Sequence, residues 1–183
     1  MDIHNRVFRS AAESMDIPEQ IDVEGLEDYL EILTKAIFQA GLSWKSIDAK
    51  WAAFREVFAE FDPKKVAAFG ESDIERLLQD ARILRSRKKI EGTIENARTI
   101  LALDQEFQGF KNYLRSMKAY SQLSSDIRKR FKYVGELSVY YFLFRVKEPV
   151  PPFEQWIKTI DGEHPRMKEM VEHARLKNPL AAR

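Results

Sequence analysis

Trp44 closes the run Gln39-Ala-Gly-Leu-Ser-Trp44, three residues after a glycine that breaks a helix and one after a serine suited to cap the next. That places a large aromatic in the first turn of a helix, at the junction of two elements, where a side chain can face a cleft. A second chemistry lies in Ser124 to Tyr140. Two helices joined by a Val134-Gly135 turn can aim the amides of the second helix's first turn at an anion, the way a helix end holds a phosphate. Arg130 and Lys132 beside that turn add attraction to a nucleic-acid backbone that is independent of sequence. The same residues also suit an ordinary helical hairpin with solvated lysines. A further basic group, Arg82 to Lys89 with Arg87 at its centre, lies at a helix start, where it opposes the helix dipole if unpaired. Glu75, Asp80 and Glu91 are near enough in the chain to neutralise it.

Charge distribution matters here because the total says little. The net charge is +1, too small for a general nucleic-acid binder. Acidic residues crowd the first third (Asp16, Glu19, Asp22, Glu24, Glu27, Asp28, Glu31), and basic ones gather at 82–89 and 128–132, so a neutral protein can still present one positive face. No cysteine occurs, which removes thiolate metal sites and disulfides and suits a reducing compartment. His4, His164 and His173 are too scattered to suggest a metal site. His164 has the chemistry of an acid or base, but a lone histidine in a polar turn is usually solvent-exposed. The N-terminus lacks an apolar leader, and the longest apolar run, Leu137 to Phe144, is far short of the roughly 18 residues that span a bilayer. A soluble cytoplasmic protein is expected.

The elements that position these residues read as helices throughout. Leu26, Tyr29, Leu30, Leu33, Ile37 and Phe38 keep helical spacing and predict a helix from about Glu24 to Ala40. A second is expected from Trp44 to Glu60, with Ile47, Trp51, Phe54, Val57 and Phe58 on its apolar face. Asp62-Pro63 reads as an N-cap followed by an N1 proline, opening a short helix that Gly70 closes. Ser72 to Glu75 has capping-box spacing for another. A long helix is predicted from Ser86 to about Gln105, and a short one through Phe110 to Met117. Ser124 or Ser125 then caps a helix to Phe131, and Leu137 to Val146 forms the next, ended by Pro149, Pro151 and Pro152. A short helix around Val7 to Ala12 and a helical tail from Phe153, interrupted near Gly162 and Pro165, complete the reading. No run alternates with period two. At 183 residues and 44% hydrophobic content, one all-α domain over 1–183 is expected, with the hairpin at about 124–146.

Gln39-Ala-Gly-Leu-Ser-Trp44, Phe54-Arg55, Phe61-Asp-Pro63 with Val66-Ala67, Asp73-Ile-Glu75, Arg85-x-Arg87, Lys89-Ile90, Asn96-Ala97 and Phe131-Lys-Tyr-Val-Gly135 fall in the order and nearly the spacing of one family. In these motifs the chain resembles the 3-methyladenine DNA glycosylase I family, within the helix-hairpin-helix glycosylases. The resemblance implies an all-α helix-hairpin-helix glycosylase-like domain. It also implies excision of an alkylated purine from double-stranded DNA, the base being flipped into a pocket formed by Trp44, Gln39, Ala36 and Tyr141. Stacking on an indole suits an extruded base, and a cationic one gains from the ring's negative face. Lys132, Val134, Gly135, Arg130 and Arg87 are then the expected DNA-backbone contacts.

The departures are specific. Similar enzymes carry a base-reading glutamate where Ala36 stands, a serine where Tyr141 stands, an N-terminal tyrosine with no counterpart near Phe8, and a glycine between Arg130 and Phe131. Their zinc ligands have no match, so no metal and no cofactor is expected. No catalytic residue is assigned, although Glu148 and Glu154 lie where the wider group has a catalytic aspartate. A DNA- or damage-binding module without catalysis, and a protein-interaction domain, remain the alternatives; Ala36 favours the first, Glu136 and the small net charge the second.

Overall fold

In the computed structural model, residues 19–40 and 42–160 are described, and every regular element among them is helical. Residues 19–149 lie in one compact unit and 150–160 in another. The expected N-terminal helix, the break at Gly41, the three histidines and the tail beyond Gly162 lie outside the described residues.

The first element, α1 (Leu26–Gln39), starts where Asp28 reaches back to accept the amides of Glu24 and Gly25 at 2.7 and 3.2 Å, satisfying donors that a helix start leaves open. At its other end the Lys89 ammonium donates to the carbonyls of Phe38 and Ala40 at 3.4 and 3.2 Å. Burial pushes Lys89 below the usual lysine range.

The helix expected over Trp44 to Glu60 is broken in two, α2 (Trp44–Asp48) and α3 (Trp51–Val57). At Lys50 and Ala53 the amides donate three residues back, to Ile47 and Lys50, both at 3.0 Å, a 3₁₀ tightening of the ladder. A turn over Ala59–Phe61 follows, with φ of 54°, 54° and 56°. Three successive left-handed residues without a glycine cost roughly 1–2 kcal/mol each. They persist because they deliver Phe61 onto an aromatic stack: its ring is 5.5 Å from both Trp51 and Phe58, nearly parallel to each, and Phe58 and Phe61 are fully buried.

Asp62 caps α4 (Pro63–Ala67) as expected, accepting from Lys64 and Lys65. For α5 (Glu71–Gln79) the cap lies two residues earlier than the Ser72 reading: Asp73 accepts the Gly70 amide at 3.1 Å. The long α6 (Arg87–Phe107) runs through the unit, packing on α4, α1 and α7 (Phe110–Leu114). Next, α8 (Tyr120–Arg130) begins several residues before the expected serine cap, because Leu123, Ser124 and Ile127 form one buried stripe. Last in the unit, α9 (Glu136–Arg145) packs on α1 and α8. Its final carbonyls are capped from the segment ahead of α1, the Phe144 oxygen by the Gln20 amide and the Arg145 oxygen by the Ile21 N–H, each at 2.8 Å. In the second unit, α10 (Phe153–Trp156) passes into a 3₁₀ turn, Ile157–Thr159.

A candidate base and DNA-backbone site

Trp44 is partly exposed at the start of α2, where Ser43 caps the helix by accepting the Ser46 amide at 3.4 Å. Two residues of α9 meet it. The Tyr141 ring stands edge-on at 5.0 Å and 84°, and the Arg145 guanidinium lies over the indole at 5.3 Å. They share a face of α9 because they are four residues apart.

Arg145 is 5% exposed. One terminal nitrogen, Nη2, donates to Gln39 Oε1 at 2.9 Å, while Nη1 has no hydrogen-bond partner among the described residues. Burial pushes the guanidinium below its usual value and Asp48 pulls it back. It remains charged, since arginine starts so far above neutrality. Gln39 has both ends of its amide engaged, its Nε2 donating to Asp48 Oδ1 at 3.3 Å. Asp48 in turn pairs with Lys35 at 2.9 Å, and Lys35 lies over Trp51 at 5.3 Å.

Of the four expected pocket residues, Trp44, Tyr141 and Gln39 are therefore brought together through Arg145. Gln39 is a link in a buried network and offers no free amide. Ala36 is buried one turn before it, with no polar side-chain atom to contribute. Arg145 and Asp48 were not singled out in the sequence. A signal was present for the first: one arginine ending an apolar helix, four residues beyond Tyr141.

The hairpin turn is docked on α6. The Asn96 side chain, wholly buried, accepts the Lys132 amide at 2.7 Å and donates to the Lys132 carbonyl at 3.2 Å. One turn away, Gly92 makes room for Tyr133: a Cβ there would sit 2.5 Å from the ring. The left-handed residue of the turn is Tyr133 (φ 58°), not Gly135, whose φ of −90° any residue adopts and where a Cβ would meet nothing within 4 Å. Gly135 therefore needs no special backbone freedom, and what its missing side chain leaves is open space at the start of α9.

The basic residues differ in how far they are already paired. Arg87 is held by Glu71, Glu75 and Glu91, and Arg82 by Asp80 and Glu56, so these two arginines are neutralised within the protein. Arg130 is bonded to Asp126 at 2.8 Å, with Glu106 at 4.0 Å. Glu136 is engaged by Arg128 at 3.0 Å, which softens its repulsion of an anion at the turn. Lys132 is exposed and has no carboxylate partner among the described residues. Of the two glutamates considered as substitute carboxylates, Glu148 is buried and clamped by the Arg115 Nε at 2.9 and 3.3 Å. No three His, Asp or Glu side chains converge as a metal site among the described residues, and none of their helices is long and apolar enough to cross a membrane.

The methyladenine glycosylase family model matches residues 21–138. DNA-3-methyladenine glycosylase 1 of Escherichia coli is 38% identical over 126 residues, covering 57% of this chain and 67% of that protein. The DNA-3-methyladenine glycosylase of Haemophilus influenzae is 30% identical, covering 57% and 68%. Among solved structures, a crystal structure of 3-methyladenine DNA glycosylase I superposes with a TM-score of 0.63 at 28% identity, over 80% of this chain and 88% of the other. The Staphylococcus aureus enzyme gives 0.63 at 26% identity, over 76% and 84%.

Proposed function

The chain belongs to the methyladenine glycosylase family, and from that premise we propose that it is a DNA glycosylase of base-excision repair. It hydrolyses the N-glycosidic bond of an alkylated purine flipped against Trp44 in double-stranded DNA. The observation that supports this reading is that one helix, α9, runs from the hairpin turn to the residue packed against Trp44. The first turn of α9, with Val134, Gly135 and Lys132, which has no carboxylate partner among the described residues, receives the backbone phosphate. Tyr141, six residues and about 9 Å further along the same helix, packs against Trp44. Distance between strand grip and base is thus set by a rigid element. The Staphylococcus aureus relative recognises 3-methyladenine, which supports a damaged purine as the flipped base.

No side chain need take a proton in the first step. An N3-alkylated purine is already a good leaving group, so selection of the base, its stacking, and positioning of a water at the sugar carbon suffice. The protein's part is to pull the base from the stack and exclude bulk water around it. Arg130 adds less to backbone attraction than Lys132, its charge being answered by Asp126. Arg87, surrounded by three carboxylates, adds least.

The test is release of free base from methylated duplex DNA. The wild-type chain releases purines; Trp44→Ala does not, yet binds a duplex with an abasic-site mimic within about threefold and with the same salt slope. Unchanged release by Trp44→Ala overturns the site. Salt-dependent binding with no release by the wild type instead supports the second reading, a damage-binding module, which Ala36 favours by offering the buried site no carboxylate.

A further inference from the structure

A guanidinium that is 5% exposed, with Nη2 satisfied by Gln39 and Nη1 left without an acceptor, is an anomaly in a folded interior. Nearly all buried donors have partners, and a charged one left unpaired has given up its hydration with nothing in return. The donor lies in the cluster where Trp44 and Tyr141 meet, and no described side chain answers it. An acceptor on a ligand bound beside Trp44 and Tyr141 would answer it.

The chemistry of that acceptor distinguishes purines. Arginine donates to the O6 and N7 acceptors of guanine, whereas adenine presents an amino group at position 6, a donor facing a donor. A purine made cationic by alkylation at N3 or N7, adenine or guanine alike, adds a second positive charge beside the guanidinium, and Arg145 already lies over the indole whose negative face would favour such a cation; charge therefore favours a neutral base such as hypoxanthine, while the group at position 6 separates guanine from adenine. Ala36, at the position where the family resemblance implies a base-reading carboxylate, has nothing to offset either charge.

Resting on the glycosylase reading above, we infer that this site selects purines carrying a carbonyl at position 6, alkylated guanines and hypoxanthine, over 6-amino purines such as 3-methyladenine. For a neutral base such as hypoxanthine the same contact has a second use. Water adds its oxygen to C1′ and loses a proton as the C1′–N9 bond breaks, and the electron pair leaves with the purine. The resulting negative charge spreads to O6, where the Arg145 Nη1–H groups stabilise it, and the departing base takes up the proton that the water gave.

Two arms test this with the full chain. In the first, methylated duplex DNA and a duplex with one hypoxanthine are incubated with protein, and released 3-methyladenine, methylguanines and hypoxanthine are quantified. In the second, free hypoxanthine and free 3-methyladenine are titrated into the protein by calorimetry, a readout independent of catalysis. Preference for the 6-oxo bases of about tenfold is expected in both arms, collapsing towards parity in Arg145→Met, with Arg145→Lys intermediate. A circular dichroism melt confirms that each variant is folded; should Arg145→Met not fold, the Lys variant and the wild-type preference decide. A preference for 3-methyladenine, or a 6-oxo preference unchanged by folded Arg145 variants, overturns the inference. Arg145-dependent binding of free hypoxanthine without release of any base from DNA sinks the glycosylase reading and leaves this one standing. Absence of both binding and release sinks both.

Discussion

Asn96→Ala separates the hairpin from its support. In the intact protein the Asn96 amide makes two hydrogen bonds with the Lys132 backbone, at 2.7 and 3.2 Å, from a wholly buried position on α6. Each such bond contributes about 1 kcal/mol net, and a buried backbone group left without a partner costs about 1–3 kcal/mol. Lys132 lies at the surface, so water can repair part of the loss once the turn lifts. The expected cost is therefore about 2–4 kcal/mol, a fall in melting temperature of roughly 5–15 °C for a unit of this size. Urea unfolding should show a lower midpoint with an unchanged slope. Duplex binding, measured well below the new melting temperature, should weaken several-fold because the turn no longer holds its register on α6. Asn96→Asp should do no better than alanine: it keeps the acceptor for the Lys132 amide but sets a second acceptor, and a buried charge, against the Lys132 carbonyl. A loss below about 0.5 kcal/mol, typical of a surface change, together with unaltered DNA affinity, would refute the docking argument.

Lys132→Ala should lower duplex affinity and reduce the salt slope by about one, whereas Arg87→Ala should leave both unchanged; equal effects would mean that the ion pairs around Arg87 do not hold in solution. Phe58→Ala removes one fully buried ring of the aromatic stack and should cost about 3–5 kcal/mol in chemical denaturation. Hydrogen bonds from Arg82 hold Asp80 down to about 2. A depressed carboxylate stabilises the fold above its unfolded value and ceases to as pH falls through the folded one, so Asp80→Asn should flatten the stability profile between about pH 4 and pH 2. Burial raises the phenols of Tyr113 and Tyr141, with the Asp126 carboxylate adding to the effect on Tyr113. Raised groups contribute below the unfolded value, about 10, and their contribution is lost as pH rises beyond it, so these two phenols should ionise in ultraviolet difference spectra only as the protein unfolds.

Helix positions were readable because their apolar residues recur at 3.6 and their caps are chemically distinct, as at Asp62-Pro63. Starts went wrong where tertiary packing overrode the local signal. Ser124 looked like a cap and lies in a buried stripe of α8; Ser72 did too, while Asp73 serves Gly70. The break at Ala49 and Lys50 had no proline or glycine to announce it. At the site, Trp44 is visible as a large aromatic at a helix start and Tyr141 only through the family resemblance, while the meeting of Gln39 with Arg145, 106 residues apart, is a long-range contact that no local pattern encodes. Ion-pair assignments were half legible: Glu75 and Glu91 were close enough in the chain to suggest neutralisation of Arg87, and Glu71 joins them from the start of α5.

The three residues Ala59, Glu60 and Phe61 bend the main chain in the mirror image of an ordinary helical turn. Across most of the molecule replacing alanine by glycine loosens the native state. At position 59 the sign should invert, because glycine adopts that handedness freely and a D-amino acid prefers it. What holds this corner is the seating of Phe61 against Trp51 and Phe58, together with the Phe61 and Asp62 amides that donate to the Phe58 and Ala59 carbonyls. A chemically synthesised chain with D-alanine at that position should therefore melt at a higher temperature than the L-alanine chain.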